Sequence, residues 1–274
     1  MKPLILALAT LAVAGSLPAV SKKDTVRRSF NVPVSGRALE IDNLFGSISV
    51  TAHGGSTIEM VANQRIEADN DAAMQAALQE IRLDISQNGN SVKLYVDGPF
   101  RDRSRRNWDP HYRVLYDFEV KVPVETSLRL STVNEGDIKV SGVTGQFDVH
   151  NVNGPIQMTG IGGSGSAITV NGPVTATFRG PAGGPLHFKT INGDLEATFP
   201  GPIHADVRAK TMHGDLYTDY EVTVLPNKPV TMETTGRKRR WQGNHGGAVR
   251  IGRGGPEFSF ETLNGDIRVL HSKP

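Results

Sequence analysis

Apolar and polar residues alternate in short runs through most of the chain, and the runs recur in register. The clearest are Leu186-His187-Phe188-Lys189-Thr190-Ile191-Asn192-Gly193-Asp194-Leu195 and, one unit later, Val207-Arg208-Ala209-Lys210-Thr211-Met212-His213-Gly214-Asp215-Leu216. Further copies of Thr-apolar-Asn-Gly-x-apolar begin at Thr169 and Thr262. Variants begin at Asn151 and at Thr132, the latter with one extra residue. From Gly136 the corner glycines are spaced by 18, 18, 21, 21 and 51 residues. Alternation over short segments is strand patterning, and a near-fixed period of this size marks a repeat architecture.

The columns predict more than strands. Apolar residues stand two before each Gly (Val152, Val170, Ile191, Met212, Leu263) and two after it (Ile138, Ile156, Val174, Leu195, Leu216, Ile267). Polar columns run between apolar ones, as with Asp148, Ser166, His187, Arg208 and Ser259. The pattern predicts an all-β chain, a parallel single-stranded β-solenoid with each coil stacked ~4.8 Å from the last. Gly suits a corner with positive φ, and stacked Asn amides suit a ladder. Asn-Gly also marks hairpin turns, so an antiparallel meander is the rival architecture.

The flanks add three elements. Residues 1–21 carry one charge, Lys2, then the apolar run Leu4 to Ala14, then Ala19-Val20-Ser21. That is the layout of a secretory signal, too short to span a bilayer comfortably. Residues 22–124 form an N-terminal β region, in which Asn43 to Ile48 reads as a degraded first copy. Within it, residues 70–81 are predicted helical, capped by Asp69 or Asn70, with Met74, Leu78 and Ile81 as the apolar face and a role as end cap. Residues 125–274 form the repeat region, interrupted by a long loop from Pro226 to Gly247 and a degenerate coil around Ala248 to Ile251.

Composition narrows the function classes. There is no Cys, so disulfides, thiolate metal sites and a cysteine lipid anchor are excluded. Without Lys2 the chain has 29 basic and 28 acidic residues, which gives no reason to expect nucleic acid as a partner. Outside residues 1–21 no second long apolar segment occurs, so no transmembrane segment is expected in the mature chain.

With a leader, one helix near residue 75, a Pro-led start at Pro123 and recurring Thr-Val-Asn-Gly-Asp-Ile copies, the chain resembles the bacterial domain-of-unknown-function family called "putative adhesin". The resemblance covers roughly residues 25 to 272 and implies a β-strand-repeat fold. It implies no catalytic residues.

Candidate chemistry is sparse. Asp137, Asp194, Asp215 and Asp266 share the turn column. If Asp194 and Asp215 stacked on adjacent coils, their carboxylates would lie ~5 Å apart, near the spacing of retaining glycosidases. The alternatives are a calcium site or plain solvated turn residues, and solvated turn residues are expected. The eight histidines do not converge, so no metal or other cofactor is expected. Arg101, Arg103, Arg105 and Arg106 precede Trp108; Arg237, Lys238, Arg239 and Arg240 precede Trp241. Of these, Arg105, Arg106, Trp108, Lys238, Arg239, Arg240 and Trp241 are the candidate ligand-binding residues, because charge and stacking together hold anionic sugars or headgroups. The expectation is a secreted or periplasmic, non-catalytic binding module. Its partners would be an anionic polysaccharide, a lipid headgroup or another envelope protein. The alternatives are a polysaccharide-active enzyme and a purely structural envelope protein.

Overall fold

A computed structural model describes residues 20–102, 111–225, 230–235, 238–243 and 247–272. The described chain is all-β apart from helix Asp71–Glu80 and the short 3-10 turn Pro99–Arg101. Two mixed sheets, of 12 and 11 strands, face each other across one core. A coil gives one strand to each sheet. Leu186–Lys189 lies in the 11-stranded sheet, the corner follows, and Leu195–Phe199 lies in the 12-stranded sheet. Alternate residues point inward, so Leu186, Phe188, Leu195, Ala197 and Phe199 are buried while His187, Lys189, Glu196 and Thr198 keep contact with solvent. Ring stacking continues from coil to coil, with Phe178–Phe199 centroids 4.5 Å apart and Phe199–Phe258 5.7 Å apart.

The stacking order is not the chain order. Reading along both sheets, the coils are 91–123, 38–53, 127–141, 147–161, 165–178, 186–199, 257–271 and 205–218. The first coil of the chain is therefore inserted between the second and third. The last coil is inserted between coils 186–199 and 205–218. Within this stack all pairings are parallel and in register, apart from a bulge between Met158 and Ile161.

The purely parallel solenoid expected from the repeat does not describe the whole molecule, because both ends are antiparallel. At one end, strand Thr57–Ala68 pairs antiparallel with Tyr112–Pro123 and with Val20–Asn31, and Arg82–Asn88 pairs with Ser91–Asp97. At the other, Val230–Thr235 and Lys238–Gly243 form a hairpin against Leu216–Thr218. The segment expected as a long loop from Pro226 to Gly247 thus contains two strands. The expected degenerate coil is instead strand Gly247–Ile251, antiparallel to Ala205–Lys210.

These ends manage the open edges that a parallel stack leaves. On the outermost strand Lys22, Asp24 and Arg28 stand opposite Ile66, Gln64 and Met60, on the core-facing side yet exposed. Charges there oppose addition of another strand. The helix is capped by Asn70, whose side chain accepts from Ala73 N at 2.9 Å. It buries Ala73, Met74 and Ala77, with Ile81 at its C-cap also buried. Leu78, expected on the apolar face, is 37% exposed, because the small Ala pair brings the helix close to the strands through Ala73 and Ala77 instead. Among the described residues no helix is long and apolar enough to cross a membrane.

Candidate functional site

The repeat corner explains itself residue by residue. The buried Thr of each copy donates to the corner Gly carbonyl of the neighbouring coil: Thr190 to Gly172 O at 2.9 Å, Thr262 to Gly193 O at 3.0 Å and Thr211 to Gly265 O at 2.9 Å. The carbonyl lies between stacked coils and needs a donor, so a small hydroxyl residue takes the inward position. The larger apolar residue beside it is displaced outward. Leu44, Val133, Val152, Val170, Ile191, Leu263 and Met212 therefore form an outer column, with Ile191 40%, Leu263 37% and Met212 49% exposed. This corrects the simple alternation, which treats that column as a regular apolar row. Beside it runs the Asn ladder. Asn153 donates to Asn134, Asn171 to Asn153, Asn192 to Asn171 and Asn264 to Asn192, all at 2.7–2.8 Å between side chains.

The acidic column is structural. Asp266, not Asp215, is the neighbour of Asp194, because the last coil lies between. Asp194 Oδ1 accepts from Asp266 N at 2.8 Å, and Asp266 Oδ1 accepts from Asp215 N at 2.9 Å. Arg268 bridges Asp194 at 2.7 Å and Asp266 at 2.5 Å. Burial pushes the Asp194 carboxyl up, but Arg268 and the Asp266 N–H outweigh it and hold it below its usual 3.8. A carboxyl held ionised this way is a poor general acid. Among the described residues no three His, Asp or Glu converge to hold a metal.

A second surface is concave. An open groove of about 590 Å³ crosses the 11-stranded sheet over six successive coils. Small residues make its floor: Ala38, Ser91, Ser127, Ser164 and Gly165 all line it. Gln146 lies in the same row, between Ser127 and Ser164. Along one side runs a row of charges on adjacent coils: Lys93, Glu40, Arg129 and Asp148. Lys93 pairs with Glu40 at 2.8 Å. Asp148 accepts from the Ser166 hydroxyl at 2.6 Å and meets His150 Nε2 at 2.8 Å, with Arg129 farther off at 3.8 Å. Burial raises the Asp148 carboxyl, but Ser166, His150 and Arg129 together hold it below its usual 3.8.

The candidate basic and Trp residues divide. Arg105, Arg106 and Trp108 lie outside the described residues. Lys238, Arg239, Arg240 and Trp241 sit on strand Lys238–Gly243, opposite Leu216–Thr218, rather than on a loop. Arg239 is engaged within the fold there. Its guanidinium donates to Tyr220 O at 2.8 Å and lies 3.7 Å from Glu221. The groove was missed in the sequence although the column of Asp148, Ser166 and His187 was visible. Only the stacking order sets Glu40 and Lys93 beside Arg129.

No protein-family model and no curated protein sequence matches the chain. Solved structures are similar at low identity. A "putative cell adhesion protein" from Clostridium sporogenes matches with 93% of this chain and 100% of that one covered, 10% identity and a TM-score of 0.39. A "putative adhesin" from Bacteroides fragilis matches with 91% and 97% covered, 11% identity and a TM-score of 0.35. A "putative lipid binding protein" from Parabacteroides distasonis matches with the same coverage, 10% identity and a TM-score of 0.32. Likeness at this level does not carry function.

Proposed function

We propose that the protein is a non-catalytic binding module, built as a β-solenoid with antiparallel ends and exported by the leader in residues 1–21 to the periplasm or the cell exterior. The supporting observation is that the carboxylates of the turn column and the groove, Asp194, Asp266, Glu40 and Asp148, are already engaged by neighbouring coils or by cations beside them. Acid–base hydrolysis of a glycan needs two carboxyls, one protonated and one free. Glu40 and Asp148 are the pair that lines the groove, two coils apart. Arg129 stands between them, Lys93 pairs with Glu40, and Asp148 is held ionised. An open polar face without a poised acid suits recognition better than turnover. Lys238, Arg240 and Trp241, with Arg105, Arg106 and Trp108, remain the proposed contact for an anionic polymer or headgroup; Arg239 leaves that set.

The test is one preparation in two assays. Chain starting at residue 22 is applied to arrays of glycans and anionic liposomes, and the bound glycans are then assayed for new reducing ends. Binding without release is expected. Release that is lost in Asp148→Asn would make the protein an enzyme, and no binding on either array would leave a structural role.

A further inference from the structure

We infer that the groove across the 11-stranded sheet binds a linear, uncharged, hydroxyl-rich polymer, a neutral polysaccharide, lying along the coil stack with about one unit per coil. The inference deepens the binding-module reading and rests on it. Four features of the groove carry it.

The first is shape. The groove spans six coils, and strands ~4.8 Å apart make that about 24 Å from first to last. It is open along its length, whereas a small-molecule site encloses most of its ligand. An extended chain can enter it sideways and leave at both ends.

The second is its floor. Among the described residues, the side chains of Ser91, Ser127, Gln146 and Ser164 have no hydrogen-bond partner. Hydroxyls and an amide both donate and accept, which matches the hydroxyls of a sugar. Ser127, Gln146 and Ser164 sit on consecutive coils, with Ser91 one coil beyond Ala38, so they repeat along the axis much as a polymer's units do.

The third is charge. Lys93, Glu40, Arg129 and Asp148 alternate in sign over four adjacent coils. The row carries no net charge to recruit a polyanion, and each carboxylate would repel one locally. Charged groups still give strong hydrogen bonds to neutral hydroxyls. The Arg129 side chain is 69% exposed, and its nearest carboxylate contact is the 3.8 Å approach to Asp148. It is the member best placed to turn its planar fork toward a ligand.

The fourth is how little apolar surface it exposes: Leu39, Leu128 and Phe147 also line the groove, but they are only 1%, 3% and 5% exposed, which gives a lipid chain little to bury against.

The experiment is titration calorimetry of the mature chain with linear β-1,4-glucan oligomers of increasing length. Affinity should rise with each added unit and level off at about five or six, when the ~24 Å span is filled. It should change by less than about twofold when salt is raised well above physiological strength, since no net charge is being screened. Ser127→Trp fills the middle of the floor and should abolish binding, while Thr159→Trp, the same bulk on the opposite sheet, should leave it unchanged. Arg129→Ala, which changes no packing in the core, should weaken binding by about tenfold, in the range of a buried polar contact. All variants are checked for unchanged thermal unfolding. If Ser127→Trp and Arg129→Ala bind as the parent does, or if affinity falls steeply with salt, the groove is not the site, while the binding-module reading stands. If the parent binds no neutral linear glycan but binds charged array members, the assignment of ligand class is overturned. If it binds nothing on any array, the module reading fails with it.

Discussion

A chain ended at Pro256 does not fold. In an ordinary repeat stack, losing the last repeat removes one interface and leaves the rest standing. Here the last coil lies inside the stack, between coils 186–199 and 205–218. Its removal takes away Phe258, Phe260, Ile267 and Val269, each no more than 2% exposed. At ~1.5–3 kcal/mol for each side chain that is about 6–12 kcal/mol of burial, comparable to the ~5–15 kcal/mol by which a whole domain is stable. The loss also opens facing strand edges on both neighbours and removes Arg268, which neutralises Asp194. Thermal unfolding followed by circular dichroism should show no cooperative transition, and trypsin should digest the product throughout. A truncated chain that melts cooperatively near the parent temperature would mean that the last coil packs at an end.

Replacing one corner glycine by alanine, the smallest possible change, should cost about 3 kcal/mol or more, at the upper end for overpacking. A Cβ on Gly193 would lie 2.2 Å from the Gly172 carbonyl oxygen of the neighbouring coil. The coils cannot part to admit it, because Thr190 bonds that same oxygen and Gly193 N donates to Asn264 O on the other side. The reason differs from the one the sequence suggests: Gly193 has no positive φ. What requires glycine is contact between stacked backbones. Two controls separate the causes. Gly160 has φ +61 with open space around its Cβ position, so Gly160→Ala should cost only about 1 kcal/mol. Gly180 has neither constraint, and Gly180→Ala should stay within about 0.5 kcal/mol. Chemical denaturation of the three variants gives the order. Equal effects at Gly193 and Gly180 would mean that the coils are not packed at these corners.

Much of the stack was legible in the sequence because stacking demands the same residue at the same place. The Asn column became the ladder from Asn134 to Asn264, and Asn43 to Ile48 took its place as a corner, with Phe45 paired to Asn134. Three things were not legible, each for a physical reason. Copies with the same signature are interchangeable as neighbours, so periodicity shows that Asn192 stacks on an Asn-like residue but not whether that is His213 or Asn264. The Thr–carbonyl bond reverses the usual inside-out rule at the corner, putting Thr190 in and Ile191 out. The C-terminal hairpin is rich in charge and Thr, with an apolar alternation too weak to stand out. For the site, the sequence contained every groove residue, and Arg129 and Asp148 lie on consecutive coils, but Glu40 and Lys93 join them only through the inserted first coil.

The order of coils therefore underlies both the groove and the effect of truncation, and disulfide trapping reads it directly. The chain has no native cysteine to interfere. Asn192→Cys combined with Asn264→Cys places thiols on in-register neighbours ~4.8 Å apart, within reach of a disulfide. Asn192→Cys combined with His213→Cys places them two coils apart, at about twice that distance, where no bridge closes without backbone movement. Mild oxidation should crosslink the first pair rapidly and leave the second reduced. Rapid crosslinking of the second pair, with none in the first, would put the coils in chain order and contradict the structure described here.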